Sequence, residues 1–216
     1  MSTSIDRETL IRMLRAGAAM IRKNCDLLTR YDSAGGDGDH GTTMVRAMDN
    51  LEQAIRDGVG TPMKDLLQAI GWAVMGTDGG ATGPLWGTFF SGMSDGISAE
   101  TLDGAGLAGA LEAGLESLQK QTKARVGDKT MMDALIPAVE AARRAADAGQ
   151  GPSGVLAQAA EAARAGAEST KAIAARFGRA RNVGDKSIGT PDAGATSVAL
   201  VFQGMAEAAA QAGLSG

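Results

Sequence analysis

Apolar residues recur at steps of three and four along most of the chain, the spacing that places them on one face of an α-helix. The first periodic segment covers residues 10–28, with Ser4 or Asp6 as its N-cap, and predicts a helix that reaches about Arg30. Seven further segments with the same period are predicted as helices: 44–55, 63–74, 85–93, 98–118, 130–147, 154–177 and 192–212.

Local signals support these elements and their number. Thr61 and Pro62 form an N-cap followed by proline at the first helical position, ahead of the third helix. Alanine is abundant while aromatic residues make up 3% of the chain, which favours helix over strand. The stretch 149–154 is only a long turn, since no Pro-rich or Gly/Ser-rich linker divides the sequence. We therefore expect an all-α protein of eight helices, with one domain spanning 1–216.

Composition and charge exclude several classes of protein. Twenty-one basic against 25 acidic residues give a net charge of -4, so there is no basic field to bind a nucleic-acid backbone. No apolar run approaches the roughly 20 residues needed to cross a bilayer. Cys25 is the single cysteine, which rules out an intrachain disulfide, and the first residues lack a signal-peptide pattern. The expected location is cytosolic.

The glycine-rich stretch 31–43 contains the most informative residues, because Asp32, Asp37 and Asp39 lie within eight positions of one another. Clustered carboxylates repel one another unless a cation compensates, and oxygen ligands suit Mg²⁺ or Ca²⁺. The calcium-loop pattern fails because His40 stands where a third oxygen ligand is needed, so magnesium with phosphate as co-ligand is favoured. The alternative is a solvated acidic turn that caps the next helix.

Two glycine-rich turns are followed by helices, whose free N–H groups and positive dipole ends favour an anion. One is 40–43 and the other is 79–84, which includes Thr82. Glycine-rich turns before helices are common, so each is a weak signal when taken separately. Neither the P-loop nor the Rossmann fingerprint occurs in the chain, and a nucleotide site here requires another design.

Two more polar, glycine-dense loops lie between the Ala-rich helices, at 127–133 and 178–196. Arg179 is suited to clamping phosphate or covering a purine, and Met131 offers an adaptable apolar face for a base. The alternatives are that Arg179 pairs with a carboxylate, that Met131 belongs to the core and that Asp192 is a helix N-cap. The functional interpretation rests on the four loops together.

These motifs, in this order and spacing, resemble one family closely: the nucleotide-binding L subunits of dihydroxyacetone kinase and the matching domain of single-chain dihydroxyacetone kinases. The resemblance covers nearly the whole chain. Its carriers are D-x(4)-D-x-D-H-G at 32–41, GGATGPLWGTFF at 79–90, GDKTMMD at 127–133, and GRAR with GDKSIGTPDAGATS in 178–197. It implies an eight-helix antiparallel barrel with a nucleotide at one end.

The same resemblance implies the binding residues. The aspartates of the 31–43 stretch would hold two Mg²⁺ ions that bridge the phosphates of ADP or ATP. The implied metal ligands are Asp32, Asp37 and Asp39, and the implied nucleotide contacts are His40, Gly41, Thr42, Thr43, Ala81, Thr82, Met131, Arg179, Asp192, Ala193 and Gly194. Similar sequences often carry proline where Ala193 stands, so this rim of the site departs from the family pattern.

The resemblance further implies a magnesium-dependent kinase subunit whose partner, a K subunit, binds dihydroxyacetone. In the bacterial form, bound ADP is recharged by a phosphohistidine protein of the phosphotransferase system. Phosphoryl transfer depends on positioning and charge neutralisation, so no catalytic base is expected from this chain. Two alternatives remain open: an L subunit of an ATP-dependent triose or erythrulose-type kinase, and a non-catalytic regulatory binding module.

Overall fold

A computed structural model describes residues 4–213, with the side chain of Arg179 outside the described part. The described chain is helical, and its one extended pairing is an isolated antiparallel bridge between Ile5 and Leu102. This confirms the all-α prediction. The α-helices are α1 Arg7–Lys23, α2 Cys25–Ser33, α3 His40–Asp57, α4 Met63–Met75, α5 Thr82–Asp95, α6 Gly104–Gln119, α7 Met132–Asp147, α8 Pro152–Ser169 and α9 Ala193–Gln211. Two 3₁₀ helices, Thr170–Ala172 and Arg179–Ser187, lie between α8 and α9.

The helices form a closed ring around a single apolar core. From α3 to α9 each helix packs against the next one in the chain, and α1 closes the ring by contacting both α9 and α3. If α1 and α2 are counted as one interrupted helix, the ring has the eight members predicted from the sequence. Buried side chains from all nine α-helices line its interior. No helix of the described chain combines the length and apolar character needed to cross a membrane.

The order of the ring decides where the loops meet. Because consecutive helices joined by short connections run antiparallel, every second connection lies at the same end of the ring. The connections that precede α3, α5, α7 and α9 therefore share one end, and they are the four glycine-rich loops. At the opposite end, Arg7 donates hydrogen bonds to the carbonyls of Thr61 and Gly58, between α3 and α4.

Three predicted helix boundaries were wrong. The first predicted helix is interrupted at Asn24, whose side chain donates to the carbonyl of Met20 and competes with the helical hydrogen bonds. The predicted helix 98–118 begins only at Gly104, because Asp103 caps it and the backbone of Leu102 pairs with that of Ile5. The predicted helix 154–177 ends at Ser169.

Other boundaries agree closely with the sequence. Asp6 is the N-cap of α1, and its carboxylate accepts a hydrogen bond from the backbone of Thr9. The helix after Thr61 begins at Met63, with Pro62 as the N-cap, one residue later than predicted. The Asp6 cap locates the start of α1 because it satisfies a backbone N–H group that has no partner inside the helix, whereas Pro62 makes no side-chain cap bond.

Candidate functional site

The four glycine-rich loops surround one cavity of about 270 Å³ at their shared end of the ring. Each loop ends at the start of a helix. Ten of the residues singled out in the sequence line this cavity: Asp32, Asp37, Asp39, His40, Ala81, Thr82, Met131, Asp192, Ala193 and Gly194. Sequence positions separated by more than 150 residues are thus brought into one site.

Three carboxylates form a compact group at one wall of the cavity. Asp32, Asp37 and Asp39 each offer an oxygen, and these oxygens lie within 4.8 Å of one another. Asp32 is also tied to the helix start, because its Oδ2 accepts hydrogen bonds from the backbone N–H groups of Asp39 at 3.0 Å and His40 at 3.3 Å. Oxygen ligands at this spacing match the preference of Mg²⁺.

His40, the first residue of α3, is held by two hydroxyl groups from other helices. Its Nε2 lies 3.2 Å from Oγ of Ser197, and its Nδ1 lies 3.3 Å from Oγ1 of Thr82. Since Ser197 donates its own proton to the carbonyl of Gly194, its Oγ is left to accept from Nε2–H. A neutral imidazole with the proton on Nε2 fits these contacts, because its Nδ1 can then accept from the Thr82 hydroxyl.

The electrostatics of His40 agree with this assignment. Burial lowers the pKa of the imidazole below its ordinary value, and the opposing effects of the Asp32 carboxylate and the Ala193 backbone are smaller. A neutral imidazole adds no positive charge beside the aspartate group. A bound cation would reduce the repulsion between the three carboxylates.

The N-cap residues of α3 and α5 supply no side-chain cap. They are Asp39 and Ala81, and neither side chain accepts a hydrogen bond from the first turn of its helix. At the start of α3, the backbone N–H of His40 instead donates to Asp32. By contrast, aspartate side chains cap α1, α6 and α9. Uncapped first turns that face a cavity offer N–H groups and a positive dipole end to an anion such as phosphate.

Three predicted nucleotide contacts do not line the cavity. Gly41 lies against α2, where an added Cβ would come within 2.2 Å of the Cys25 carbonyl oxygen. Thr42 is exposed, and its hydroxyl donates to the carbonyl of Asp39. Thr43 is buried and accepts a hydrogen bond from Arg46. Their contacts with nucleotide stay predictions.

Thr43 is connected through Arg46 to the glycine-rich loop that precedes α5. Arg46 bridges the hydroxyl of Thr43 and the carbonyl of Asp78. Gly79 follows with φ +121, and a Cβ there would lie 2.6 Å from Thr43 Oγ1. Glycine is therefore favoured at this position, because a side chain would be strained at this φ and would collide with Thr43. The close approach also shows that this loop lies beside the start of α3.

The fourth loop contributes the opposite wall. Asp192 is partly buried, and its carboxylate caps α9 by accepting from the backbone of Ala195 at 2.7 Å. This confirms the N-cap interpretation, while Asp192 also lines the cavity. Met131 is 7% exposed, so it belongs to the core and the cavity wall together. Arg179 begins the second 3₁₀ helix, but its side chain lies outside the described part, and its predicted role stays a prediction.

Sequence reasoning missed several residues that line the cavity. Phe177 presents a partly exposed ring from the fourth loop, and Leu85 and Trp86 line the cavity from α5. Lys129, inside the GDKTMMD motif, also borders the cavity. The aromatic residue was detectable as an isolated Phe in a polar loop, whereas nothing local distinguishes Lys129 from an ordinary surface lysine.

Comparison with protein families and with curated proteins places the chain clearly. The model of the DAK2 domain matches residues 34–207. The ADP-binding subunit DhaL of PEP-dependent dihydroxyacetone kinase 1 from Listeria innocua is 36% identical over 200 residues, covering 93% of this chain and 96% of the relative. L-erythrulose 1-kinase from Mycolicibacterium smegmatis is 40% identical over 187 residues, or 83% of this chain, which spans only 32% of that enzyme.

A solved structure agrees with the fold. The dihydroxyacetone kinase of C. freundii in complex with AMP-PNP and Mg²⁺ superimposes with a TM-score of 0.68 at 27% identity. The match covers 90% of this chain and 33% of that one. The resemblance inferred from the four motifs is thereby confirmed, and the chain belongs to the DAK2-domain family that includes the DhaL subunits of dihydroxyacetone kinase.

Proposed function

We propose that this protein is the ADP/ATP-binding L subunit of a dihydroxyacetone kinase. It would pass a phosphoryl group, through its bound nucleotide, to dihydroxyacetone held by a separate K subunit. The observation that carries the proposal is the convergence on one cavity of a three-carboxylate group and two helix starts whose N-cap side chains form no cap. The DhaL subunits of Listeria innocua and Escherichia coli are matched over 96% and 99% of their own length, which supports the role of an L subunit.

Asp32, Asp37 and Asp39 are the residues that would hold Mg²⁺, and we propose two ions shared with the nucleotide phosphates. The donor set fits, because all three ligands are carboxylate oxygens within 4.8 Å of one another. When bound, magnesium neutralises phosphate charge and aligns the transferred group. Asp32 has a further task, since its hydrogen bonds to the start of α3 fix the metal ligand relative to the phosphate-binding turn.

The remaining walls would bind the rest of the nucleotide. The first turns of α3 and α5 would supply backbone N–H groups for the phosphates, and His40 at the start of α3 is hydrogen-bonded to Thr82 and Ser197. Met131 and the 192–194 turn would surround the nucleoside. No residue of this chain needs to act as a base, because positioning and charge neutralisation account for the transfer.

The proposed partners follow from the relatives rather than from an interface. The K subunit would present the ketose at the open side of the cavity. A phosphohistidine protein of the phosphotransferase system would recharge bound ADP in place, as the PEP dependence of the DhaL relatives suggests. No nucleic acid is expected as a partner at a net charge of -4.

A second candidate is favoured by one specific comparison. The L-erythrulose 1-kinase from Mycolicibacterium smegmatis has 40% identity to this chain, against 36% for the Listeria innocua DhaL subunit. An L subunit that serves an ATP-dependent tetrulose kinase would exchange its nucleotide with solvent instead of retaining ADP. The same cavity would serve both reactions, because the ketose is bound by the other subunit.

One experiment separates these functions. The chain is purified in Mg²⁺, desalted exhaustively and denatured, and any released nucleotide is identified by chromatography. Near-stoichiometric ADP is the expected result and supports a resident coenzyme. Empty protein that binds ATP reversibly would favour the ATP-dependent ketose kinase. Absence of nucleotide binding would contradict both and favour a regulatory binding module.

A further inference from the structure

Lys129 is a buried lysine with an unusual set of partners. Its side chain is 5% exposed, and its backbone has φ +60, the one positive φ of a non-glycine residue in the described chain. The ammonium group is directed at backbone carbonyls instead of carboxylates. Its Nζ lies 2.8 Å from Thr170 O, 3.2 Å from Ile173 O, 2.7 Å from Ser187 O and 2.7 Å from Thr190 O.

These four carbonyls all belong to residues 170–192, which we call the rim segment. The segment leaves α8, passes through both 3₁₀ helices and returns to the N-cap of α9. It supplies one wall of the cavity, including Phe177 and the turn that begins at Thr190. Between α8 and α9 it has no α-helix, so its shape depends on contacts with the rest of the protein.

Further hydrogen bonds connect the residues that Lys129 binds to the cavity wall. The hydroxyl of Thr170 accepts from the backbone N–H of Asp192 at 2.8 Å, while the carbonyl of the same threonine accepts from Lys129. Ser187 likewise accepts from Lys129 at its carbonyl, and its hydroxyl accepts from the backbone of Ala175 at 2.9 Å. The ammonium group thus joins the beginning, middle and end of the rim segment.

The position of Lys129 is itself fixed by its own loop. Asp133 is buried, and its carboxylate accepts from the backbone N–H groups of Gly127 at 2.6 Å and Thr130 at 2.7 Å. These bonds hold the turn that carries Lys129 on the first turn of α7. A backbone conformation that is unfavourable for lysine persists only where the surrounding contacts enforce it.

We propose that Lys129 is a positioning residue, which closes the rim segment around the nucleotide by binding four of its carbonyl groups. This inference rests on the proposed function, because the site that it shapes is the nucleotide cavity. Lys129 borders that cavity, but its ammonium group is engaged by carbonyls, so its role is not that of a phosphate ligand. Removing the ammonium group would leave several buried carbonyl groups without a hydrogen-bond donor. The rim segment would also lose the one group that binds it at several points.

The test compares Lys129→Met with Lys123→Met. Methionine keeps the length and apolar stem of lysine but cannot donate, and Lys123 is an exposed lysine of the same loop. Hydrogen exchange of peptides from the rim segment is measured without nucleotide, and Mg-ADP affinity is measured by calorimetry. We expect exchange in 170–192 to accelerate at least tenfold and the Kd to rise at least tenfold in Lys129→Met. The control should match the wild type in both.

A second variant distinguishes the loss of the ammonium group from general misfolding. Lys129→Ala leaves space for n-propylammonium, which restores the lost atoms and the charged donor. Adding n-propylammonium should slow the exchange of the rim segment and strengthen Mg-ADP binding, whereas n-propanol, of similar shape but without the ammonium group, should do neither. A purely space-filling role would be rescued equally by both compounds and would overturn the proposal.

The outcomes separate this inference from the proposed function. Unchanged exchange of the rim segment in Lys129→Met would overturn the positioning role, and so would an opened segment with unchanged nucleotide affinity. A wild-type chain that binds no Mg-ADP would instead overturn the proposed function, because the exchange comparison needs no nucleotide.

Discussion

The hydroxyl of Thr82 lies 3.3 Å from Nδ1 of His40, and this contact joins the first turns of α5 and α3. On the other side of the imidazole, Ser197 links Nε2 to the first turns of α9. One histidine therefore fixes three helix starts relative to one another. Their relative position decides whether the N–H groups of α3 and α5 can reach the same phosphates.

Replacing Thr82 by valine should weaken Mg-ADP binding modestly. The lost bond to His40 is between neutral groups, for which we expect about 1 kcal/mol or less. A direct bond from the hydroxyl to a phosphate would cost more, roughly 1.5–3 kcal/mol. Calorimetry of Thr82→Val beside Ser197→Ala measures the difference. Similar small losses of Mg-ADP affinity in both variants would support a role of Thr82 through His40. A much larger loss of affinity in Thr82→Val alone would indicate a direct phosphate contact.

Asp37→Asn should abolish magnesium-dependent nucleotide binding. The carboxylate is one of the three that supply oxygens within 4.8 Å of one another, and an amide is a weaker ligand without charge. Helix content should not change, because Asp37 is exposed and lies in the loop between α2 and α3. The affinity for ADP is measured by titration calorimetry with and without Mg²⁺. Asp78→Asn, at an exposed aspartate outside the group, is the matched control. Retained binding in Asp37→Asn would remove this residue from the metal site.

Asp192 should make the stability of the apo protein depend on pH. Burial raises the pKa of its carboxyl from 3.8 to about 7, and the nearby Asp133 and Asp32 act in the same direction, while the Ala195 N–H and Lys129 oppose the rise. The folded state then binds the proton more tightly than the unfolded state does. The contribution of Asp192 is thus most favourable below about pH 4 and declines as pH rises towards about 7.

Asp192→Asn tests this dependence directly. Asparagine is also a good N-cap, so α9 should keep its start. Denaturant unfolding of metal-free and nucleotide-free protein between pH 4 and pH 8 should show a flatter profile in the variant than in the wild type. Superimposable profiles would show that Asp192 does not titrate in this range in the folded protein.

Phe177→Ala should weaken the binding of ADP without affecting the binding of inorganic pyrophosphate. The ring is 36% exposed and lines the cavity from the rim segment, where it is available to stack on a base. Stacking on an aromatic side chain contributes roughly 1–3 kcal/mol per base in proteins that bind single-stranded nucleic acids. Ile188→Ala is the control, since Ile188 is exposed in the same segment but lies outside the cavity wall. Equal losses for ADP and pyrophosphate would contradict a contact with the base.

Much of the fold and part of the site were predictable because their signals are local. A spacing of three and four residues fixes which face of a helix is buried, and alanine with few aromatic residues favours helix throughout. Asp6 was one of two predicted N-cap candidates for α1, and the N-cap role of Asp192 was the alternative to nucleotide binding. Both caps were recognisable because a cap acts on the next few residues. The grouping of Asp32, Asp37 and Asp39 was likewise readable, since all three lie in one short loop.

The missed boundaries came from contacts that periodicity does not contain. The apolar spacing continues through Asn24, so only its backward hydrogen bond reveals the end of α1. The start of α6 is delayed because Leu102 pairs with Ile5, which lies almost a hundred residues earlier. Such pairings depend on the closed ring, and the ring exists only after the helices have packed.

The sequence by itself determined the helices, the acidic group and the family, because each depends on residue types at short or fixed spacing. Only the tertiary structure decided that His40 is shared by Thr82 and Ser197, and that Lys129 is buried beneath the rim segment. A lysine in a polar loop normally remains in water. Its burial becomes favourable only where folding assembles carbonyl groups from distant positions to accept its hydrogen bonds.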